Sequence, residues 1–377
     1  MKANVRWMVA LGVISGACLS GPLTAAADEA EATVAVGSYE AQQSAAAAAR
    51  DKDPGWKPTC TEVGLIKVGD GASAGALKNF CLDAAGNILA CYAPADAKGK
   101  NGPGIRVYSP KGDLLRTMPL EIKPCAISVA KDGAIFVAGG GKILKLDASG
   151  KVMASAVSPV ANDPVVIGEE LETMVKEMAE QNKQPYQEEL KRMKANLERR
   201  RADVTGLAVT GEDVFMAVGA PSDFSYRVYR FDASLKDPKL VVEKLRGCCS
   251  QMDIQANNGN LWIPHNARHS VESRDRDGKE LAKFGKAGKV KPSDFGGCCE
   301  PKNMRVLANG DILAAESGPP TCIKRFTADG KFKEVVAVVK ESKGDCVRVT
   351  VEASPDGSRY YMMDTTRDAI RIFASKG

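Results

Sequence analysis

Two pairs of adjacent cysteines are the residues with the most chemical potential in this chain. Cys298 and Cys299 lie in FGGCCEPKNMRVLANGDILAAESG, and Cys248 and Cys249 in LRGCCSQMDIQANNGNLWIP. Both pairs stand just ahead of a short apolar segment. Neighbouring thiols support three chemistries. Each can form a disulfide to a separate partner, or several thiolates can ligate a soft ion such as Cu(I) or Zn(II). The pair can also close on itself as a strained, reducible disulfide. No C-X-X-C spacing supports a zinc or thioredoxin-like site, and no C-X-X-C-H supports covalent haem attachment.

The compartment decides among these. The N-terminus, MKANVRWMVALGVISGACLSGPLTAAADEA, has Lys2 and Arg6, then an apolar run from Met8 to Cys18, then Ala25-Ala26-Ala27. The run is too short to span a bilayer. The pattern predicts a secretory signal peptide over 1–27, with lipidation at Cys18 as the rival reading. Export would remove Cys18 and turn eleven cysteines into ten. An even number in an oxidising compartment favours a disulfide framework. The mature chain then belongs in the periplasm or outside the cell. Charge is balanced, with 52 Lys+Arg against 47 Asp+Glu, so no nucleic-acid partner is indicated. The two histidines, His265 and His269, are too few for His-rich metal catalysis.

The elements around the cysteines repeat. KNFCLDAAGNILAC, PCAISVAKDGAIFVAG, VTGLAVTGEDVFMAVG, QMDIQANNGNLWIP, PKNMRVLANGDILAAE and VRVTVEASPDGSRYYMMD are each a strand, a Gly/Asp/Asn turn and a second strand. A third strand follows each, and a fourth follows all but the last. CTEVGLIKVG, at 60–69, has no hairpin of its own and supplies the missing strand. The expected fold is all-β: a six-bladed β-propeller over 56–377, closed by an N-terminal strand. Residues 28–55 read as a flexible Ala-rich linker. Residues 155–203 interrupt the repeat with two helical patterns. Leu171, Met174, Val175 and Met178 share one face, as do Tyr186, Leu190, Met193 and Leu197, with a break near Gln184-Pro185. This is an inserted α-helical hairpin, either a cap packed on itself or an arm for a partner or a second copy.

FGKAGKVKPSDFGGCCEPKNMRVLANGDILAAESGPPTCIKRFTADGKF resembles a repeat of the NHL family of six-bladed propellers. The matching positions are Phe284-Gly285, Phe295, Pro301, Gly310, Glu316-Ser317-Gly318 and Phe326. The resemblance implies the fold for 60–377, the insertion aside, and leaves function open. Two related architectures are enzymes. The peptide-amidating lyase holds zinc among several histidines, which two histidines in one loop do not match. Gluconolactonase-like hydrolases hold a divalent cation on the axis with Glu, Asn and Asp. The candidates here are Asp253, Glu300 and Asn303, since hard cations take oxygen ligands.

On these blades Cys125, Cys248, Cys249, Cys298, Cys299 and Cys346 fall at the starts of inner strands, around one mouth of the channel. Cys60, Cys81, Cys91 and Cys322 are the other disulfide candidates. Bridges could run, for example, from Cys248 or Cys249 to Cys298 or Cys299, and from Cys299 to Cys346, each contributing about 2–4 kcal/mol; the sequence leaves the connectivity open. The leading expectation is a non-enzymatic exported propeller without a cofactor that binds a protein, peptide or glycan at one face. A metal-dependent lactonase and a thiol-based metal or redox protein are the alternatives.

Overall fold

The chain organises around a repeated turn. Asp83 Oδ1 accepts from the backbone N–H groups of Ala85 and Asn87 at 2.9 and 2.8 Å. Asp147, Asp232 and Asp275 each accept from the second and fourth residues after them in the same way. An aspartate that caps its own turn fixes the reversal between strands. Gly86 and Gly150 then take the left-handed conformation that closes the loop, at φ 81° and 96°.

The computed structural model describes residues 39–69, 75–94, 102–247, 251–339 and 347–375. It divides into two units, Met1–Lys52 and Asp53–Gly377. In the first, α1 covers Tyr39–Lys52 inside the stretch read as a linker. Its alanine run is the best helix-forming composition, and Arg50 and Lys52 complement the C-terminal dipole.

The second unit is a six-bladed β-propeller, and strand pairing establishes it. The closing strand β1 is Cys60–Lys67. Blade one is β2 (Leu77–Leu82), β3 (Ile88–Tyr92), β4 (Gly104–Tyr108) and β5 (Leu114–Pro119). Blade two is β6 (Ala126–Val129), β7 (Ile135–Gly139), β8 (Lys142–Leu146) and β9 (Val152–Val157). Two helices follow, α2 (Glu169–Asn182) and α3 (Tyr186–Ala202). Blade three is β10 (Val204–Val209), β11 (Asp213–Gly219), β12 (Ser225–Asp232) and β13 (Lys239–Arg246). Blade four is β14 (Gln255–Asn257), β15 (Asn260–His265), β16 (Ser270–Arg274) and β17 (Glu280–Phe284). Blade five is β18 (Asn303–Val306), β19 (Ile312–Glu316), β20 (Cys322–Phe326) and β21 (Phe332–Val338). Blade six is β22 (Val351–Ala353), β23 (Arg359–Asp364) and β24 (Ala369–Ser375), completed by β1. β1 pairs antiparallel with β24 from Cys60↔Ser375 to Lys67↔Ala369, as the unpaired strand at the front of the repeats predicts.

Each pair of neighbouring blades encloses its own apolar cluster. Phe80, Tyr92, Tyr361 and Ile370 join blades one and six; Phe136, Met216 and Phe231 join two and three. Phe295, Met304, Phe326 and Val271 join four and five. The ring is therefore cohesive without any link across its axis.

The helical hairpin is present, with one correction to its start. β9 runs to Val157, so the insertion occupies 158–203 rather than 155–203. Lys183 ends α2 in the left-handed conformation, and Pro185 opens α3. The two helices pack together, and Leu171, Val175 and Ala179 of α2 and Met193 and Leu197 of α3 are buried; Met174 and Met178 are half-buried. No helix of the described residues is long and apolar enough to cross a membrane.

The up-and-down order sorts the connections by face. On one face the connections between strands are all tight turns, from 258–259 at the shortest to 233–238 at the longest, beside the entry to β1 and the end of β24. The other face carries the starts of the inner strands, the hairpin at 158–203 and the long connection 285–302 with Cys298 and Cys299. We call the latter the mouth face.

Candidate functional site

The inner strands place the axial candidates. Asp253 precedes β14 and Asn303 begins β18, so two neighbouring blades bring them together: Asn303 Nδ2 donates to Asp253 Oδ2. Arg305, on the same strand as Asn303, donates from Nη1 to that oxygen at 2.9 Å and from Nε to Glu352 Oε1 at 2.7 Å. Asn303 Oδ1 accepts from the Val351 N–H at 3.0 Å. Burial pushes the Glu352 carboxyl up, with Arg305 opposing it.

Glu300 is not part of this network. Its Oε1 accepts from Ser317 N, Ser317 Oγ and Gly318 N at 2.9, 2.8 and 2.8 Å. Of the three axial candidates, the structure brings Asp253 and Asn303 together, with Arg305 on the same Asp253 oxygen, and holds Glu300 apart, against the β19–β20 loop. Among the described residues no group of three or more His, Cys, Asp and Glu is disposed to hold a metal ion.

The mouth itself is bridged. Arg348, just before β22, donates from Nη2 to the carbonyls of Cys125 and Thr205 at 3.0 and 2.9 Å. These belong to blades two and three, and blade three faces blade six across a six-membered ring. Gln251 of blade four donates to Val349 O at 2.8 Å and accepts from Val349 N at 3.3 Å. A ligand approaching from this side meets the rim and these bridging side chains before the axis.

The described cysteines take the expected positions on the blades. Cys125 precedes β6, Cys298 and Cys299 precede β18, Cys60 opens β1 and Cys322 opens β20. Cys81 and Cys91 lie on adjacent strands but are not opposite; the register pairs Cys81 with Leu89 and Cys91 with Asn79. Both are fully enclosed in the core between blades one and two, where burial pushes their thiols well up. Cys125 donates to Val204 O at 2.9 Å, and burial pushes its thiol to about 11. No two of the described cysteines stand at disulfide distance. Cys248, Cys249 and Cys346, and the bridges assigned to them, lie outside the described residues.

A buried polar cluster surrounds Cys298 and Cys299. Cys298 is exposed and Cys299 fully buried, with their sulfurs 3.2 Å apart. Lys302, also fully buried, donates from Nζ to Cys299 Sγ at 2.7 Å. Lys324 pairs with Glu316 and donates to Asp294 O at 2.6 Å; Glu316 Oε2 accepts from Gly296 N at 2.7 Å. Burial holds the Glu300 carboxyl at about 8, with Lys302 pulling it down and Glu316 pushing it up. Its Oε2 has no hydrogen-bond partner. His269 Nε2 lies 3.5 Å from Gly297 O, and burial lowers its affinity for a proton. Sequence reasoning missed Lys302, Lys324 and Arg305, and read Glu316 only as part of the repeat. The only signal was a lysine three residues after a cysteine, in CCEPK.

The other histidine is structural. His265 Nε2 accepts from Arg246 N at 2.9 Å, so Nδ1 carries the proton and donates to Glu272 Oε1 at 2.7 Å. Burial would raise Glu272, but the bonds from His265 and Arg274 outweigh it and hold the carboxyl at about 2. A folded value below the unfolded one stabilises the fold above about pH 4.5. That contribution is lost as pH falls from there toward 2. Urea midpoints across this window should fall more steeply for the native chain than for Glu272→Gln. Parallel curves would contradict the assignment.

No protein-family model matches this chain, and a search of curated proteins finds no match. Three solved structures are similar in shape. A chain of the crystal structure of the mitotic checkpoint complex is 11% identical, with 95% of this chain and 99% of that one covered and a TM-score of 0.48. The Cps50 (Swd1) β-propeller domain of Myceliophteria thermophila is 9% identical, with 84% and 100% covered and a TM-score of 0.48. A protein of unknown function from Bacteroides caccae is 13% identical, with 71% and 83% covered and a TM-score of 0.43. At these values the fold assignment rests on the strand pairing described above.

Proposed function

We propose that this chain is an exported, non-enzymatic propeller of NHL type that binds a protein, peptide or glycan outside the cytoplasm. The mouth face is its recognition surface. One observation carries this reading: every long connection between strands emerges on that face, and the strand connections on the other are minimal turns. Turns of two to six residues do no more than reverse the chain, whereas long loops on a rigid scaffold are where binding residues collect. The axis supports it from the other side. Asp253 Oδ2 accepts from both Asn303 and Arg305, and Asn303 Oδ1 accepts from Val351 N, so these oxygens are engaged within the protein rather than open to a metal ion.

Export is inferred from the charged, apolar and small-residue order of residues 1–27. Cohesion does not depend on staples, because the interblade clusters already close the ring. The test is a screen of the full chain against peptide and glycan arrays, beside a panel of lactones with Ca²⁺ or Mg²⁺. The expected result is selective binding that survives EDTA, with no lactone turnover. Turnover that is abolished in a folded Asp253→Ala variant would overturn the reading.

A further inference from the structure

We propose that Cys298 and Cys299 form a thiol–disulfide exchange site, with Cys298 as the sulfur that meets a small-molecule disulfide and Cys299 as the sulfur that resolves it. Three features on the page support the roles. Only Cys298 is exposed, so an external disulfide reaches that sulfur alone. Cys299 Sγ already lies 3.2 Å away, and closure to the bonded distance of about 2.05 Å needs little movement. Lys302 then sits 2.7 Å from Cys299 with its ammonium wholly buried.

Lys302 Nζ donates to Cys299 Sγ at 2.7 Å, and a cation beside a sulfur favours the thiolate, the arrangement that makes cysteine reactive. Glu300 Oε2, buried without a partner, keeps the pocket from being an ordinary satisfied core.

The electrons balance as follows. The Cys298 thiolate attacks one sulfur of the external disulfide; that S–S bond breaks and the first thiolate leaves, taking a proton from water. The mixed disulfide at Cys298 is then attacked by the Cys299 thiolate. The Cys298–Cys299 bond forms, and the second thiol leaves with a proton from solvent. The two cysteines are oxidised, and the external disulfide is reduced to two thiols. The ring formed through the intervening peptide is small and strained, which makes the bond readily reducible and the exchange reversible.

Trypsin makes the test unambiguous, because residues 290–302 contain Cys298 and Cys299 and no other cysteine. The full chain is equilibrated without oxygen in glutathione buffers of varied ratio, alkylated and digested. The peptide should pass reversibly from a doubly alkylated form to one lighter by two hydrogens than the free dithiol. Lys302→Met should slow closure by about tenfold at pH 7, with the difference shrinking at alkaline pH as Cys299 ionises unaided. Cys299→Ser keeps the test decisive if Lys302→Met fails to fold: without the resolving sulfur, a glutathione mixed disulfide should accumulate at Cys298, and its failure to form overturns the proposal. Double alkylation at every ratio overturns the proposal. So does recovery of either cysteine cross-linked to a different cysteine.

Discussion

Arg305→Ala lowers the stability of the ring by about 3–5 kcal/mol. Arg305 is the single cation between Asp253 and Glu352, at 2.9 and 2.7 Å, and its Nη1 also donates to Met304 O at 2.7 Å. It lies on an inner strand, where three blades converge and water has little access. Removing it leaves Asp253 and Glu352 facing each other without compensation in a medium that solvates charge poorly. The cost is therefore larger than that of an exposed ion pair, which is about 0–1 kcal/mol. The mechanism makes a second, sharper prediction. Neutralising the partners as well, in Arg305→Met with Asp253→Asn and Glu352→Gln, should recover most of the loss, because no charge is then left uncompensated. Urea unfolding measures both. An Arg305→Ala cost below about 1 kcal/mol, or a triple variant no better than the single one, would contradict a network built on charge.

Glu300→Gln should stabilise the protein above pH 8, and the gain should disappear in acid. Burial holds the Glu300 carboxyl at about 8, against 4.5 for an ordinary glutamate. Its folded value is the higher one, so the folded state binds the proton more tightly than the unfolded state. The carboxyl favours folding most below pH 4.5, and that contribution declines as pH rises to 8. Above 8 the charged form carries the full burial penalty, on the order of a few kcal/mol. Glutamine keeps an oxygen for the donors of Ser317 and Gly318 and never ionises. The stability difference between the variant and the native chain should therefore widen from pH 4.5 to 8 and then level off. A difference that is constant with pH would show that Glu300 does not bear this burden.

The ring was legible in the sequence because its signals are local. Strand alternation, the Asp-capped turns and the unpaired strand at 60–69 each sit within a dozen residues and fix the blade count and its closure. The hairpin was legible for the same reason, since Leu171, Val175, Met193 and Leu197 repeat at helical spacing. What failed was long-range pairing. Arg305 and Glu352 meet across 47 positions, and Arg348 reaches Cys125 across 223. Nothing near NMRV reveals that its arginine faces two carboxylates. Lys324 in CIKRF looks like an outward charge on a third strand, but it is fully buried beside Glu316 and the Trp56 ring. Compartment and count constrain how many cysteines can pair but not where the backbone brings sulfurs together. Cys81 and Cys91 illustrate this: one hairpin carries both, and the register sets them two residues out of opposition.

The claim that one face of the ring does the recognising is tested most directly by lysine labelling. Exposed lysines sample both faces: Lys123, Lys183, Lys286 and Lys291 on the mouth face, and Lys111, Lys131, Lys151, Lys236, Lys279 and Lys331 in the turns opposite. The full chain is labelled with and without the peptide or glycan selected on the arrays, and the sites are quantified by mass spectrometry. The account predicts protection confined to the first group, with the second unchanged. Protection of Lys111, Lys131 or Lys331 with the mouth-face lysines unchanged would contradict it.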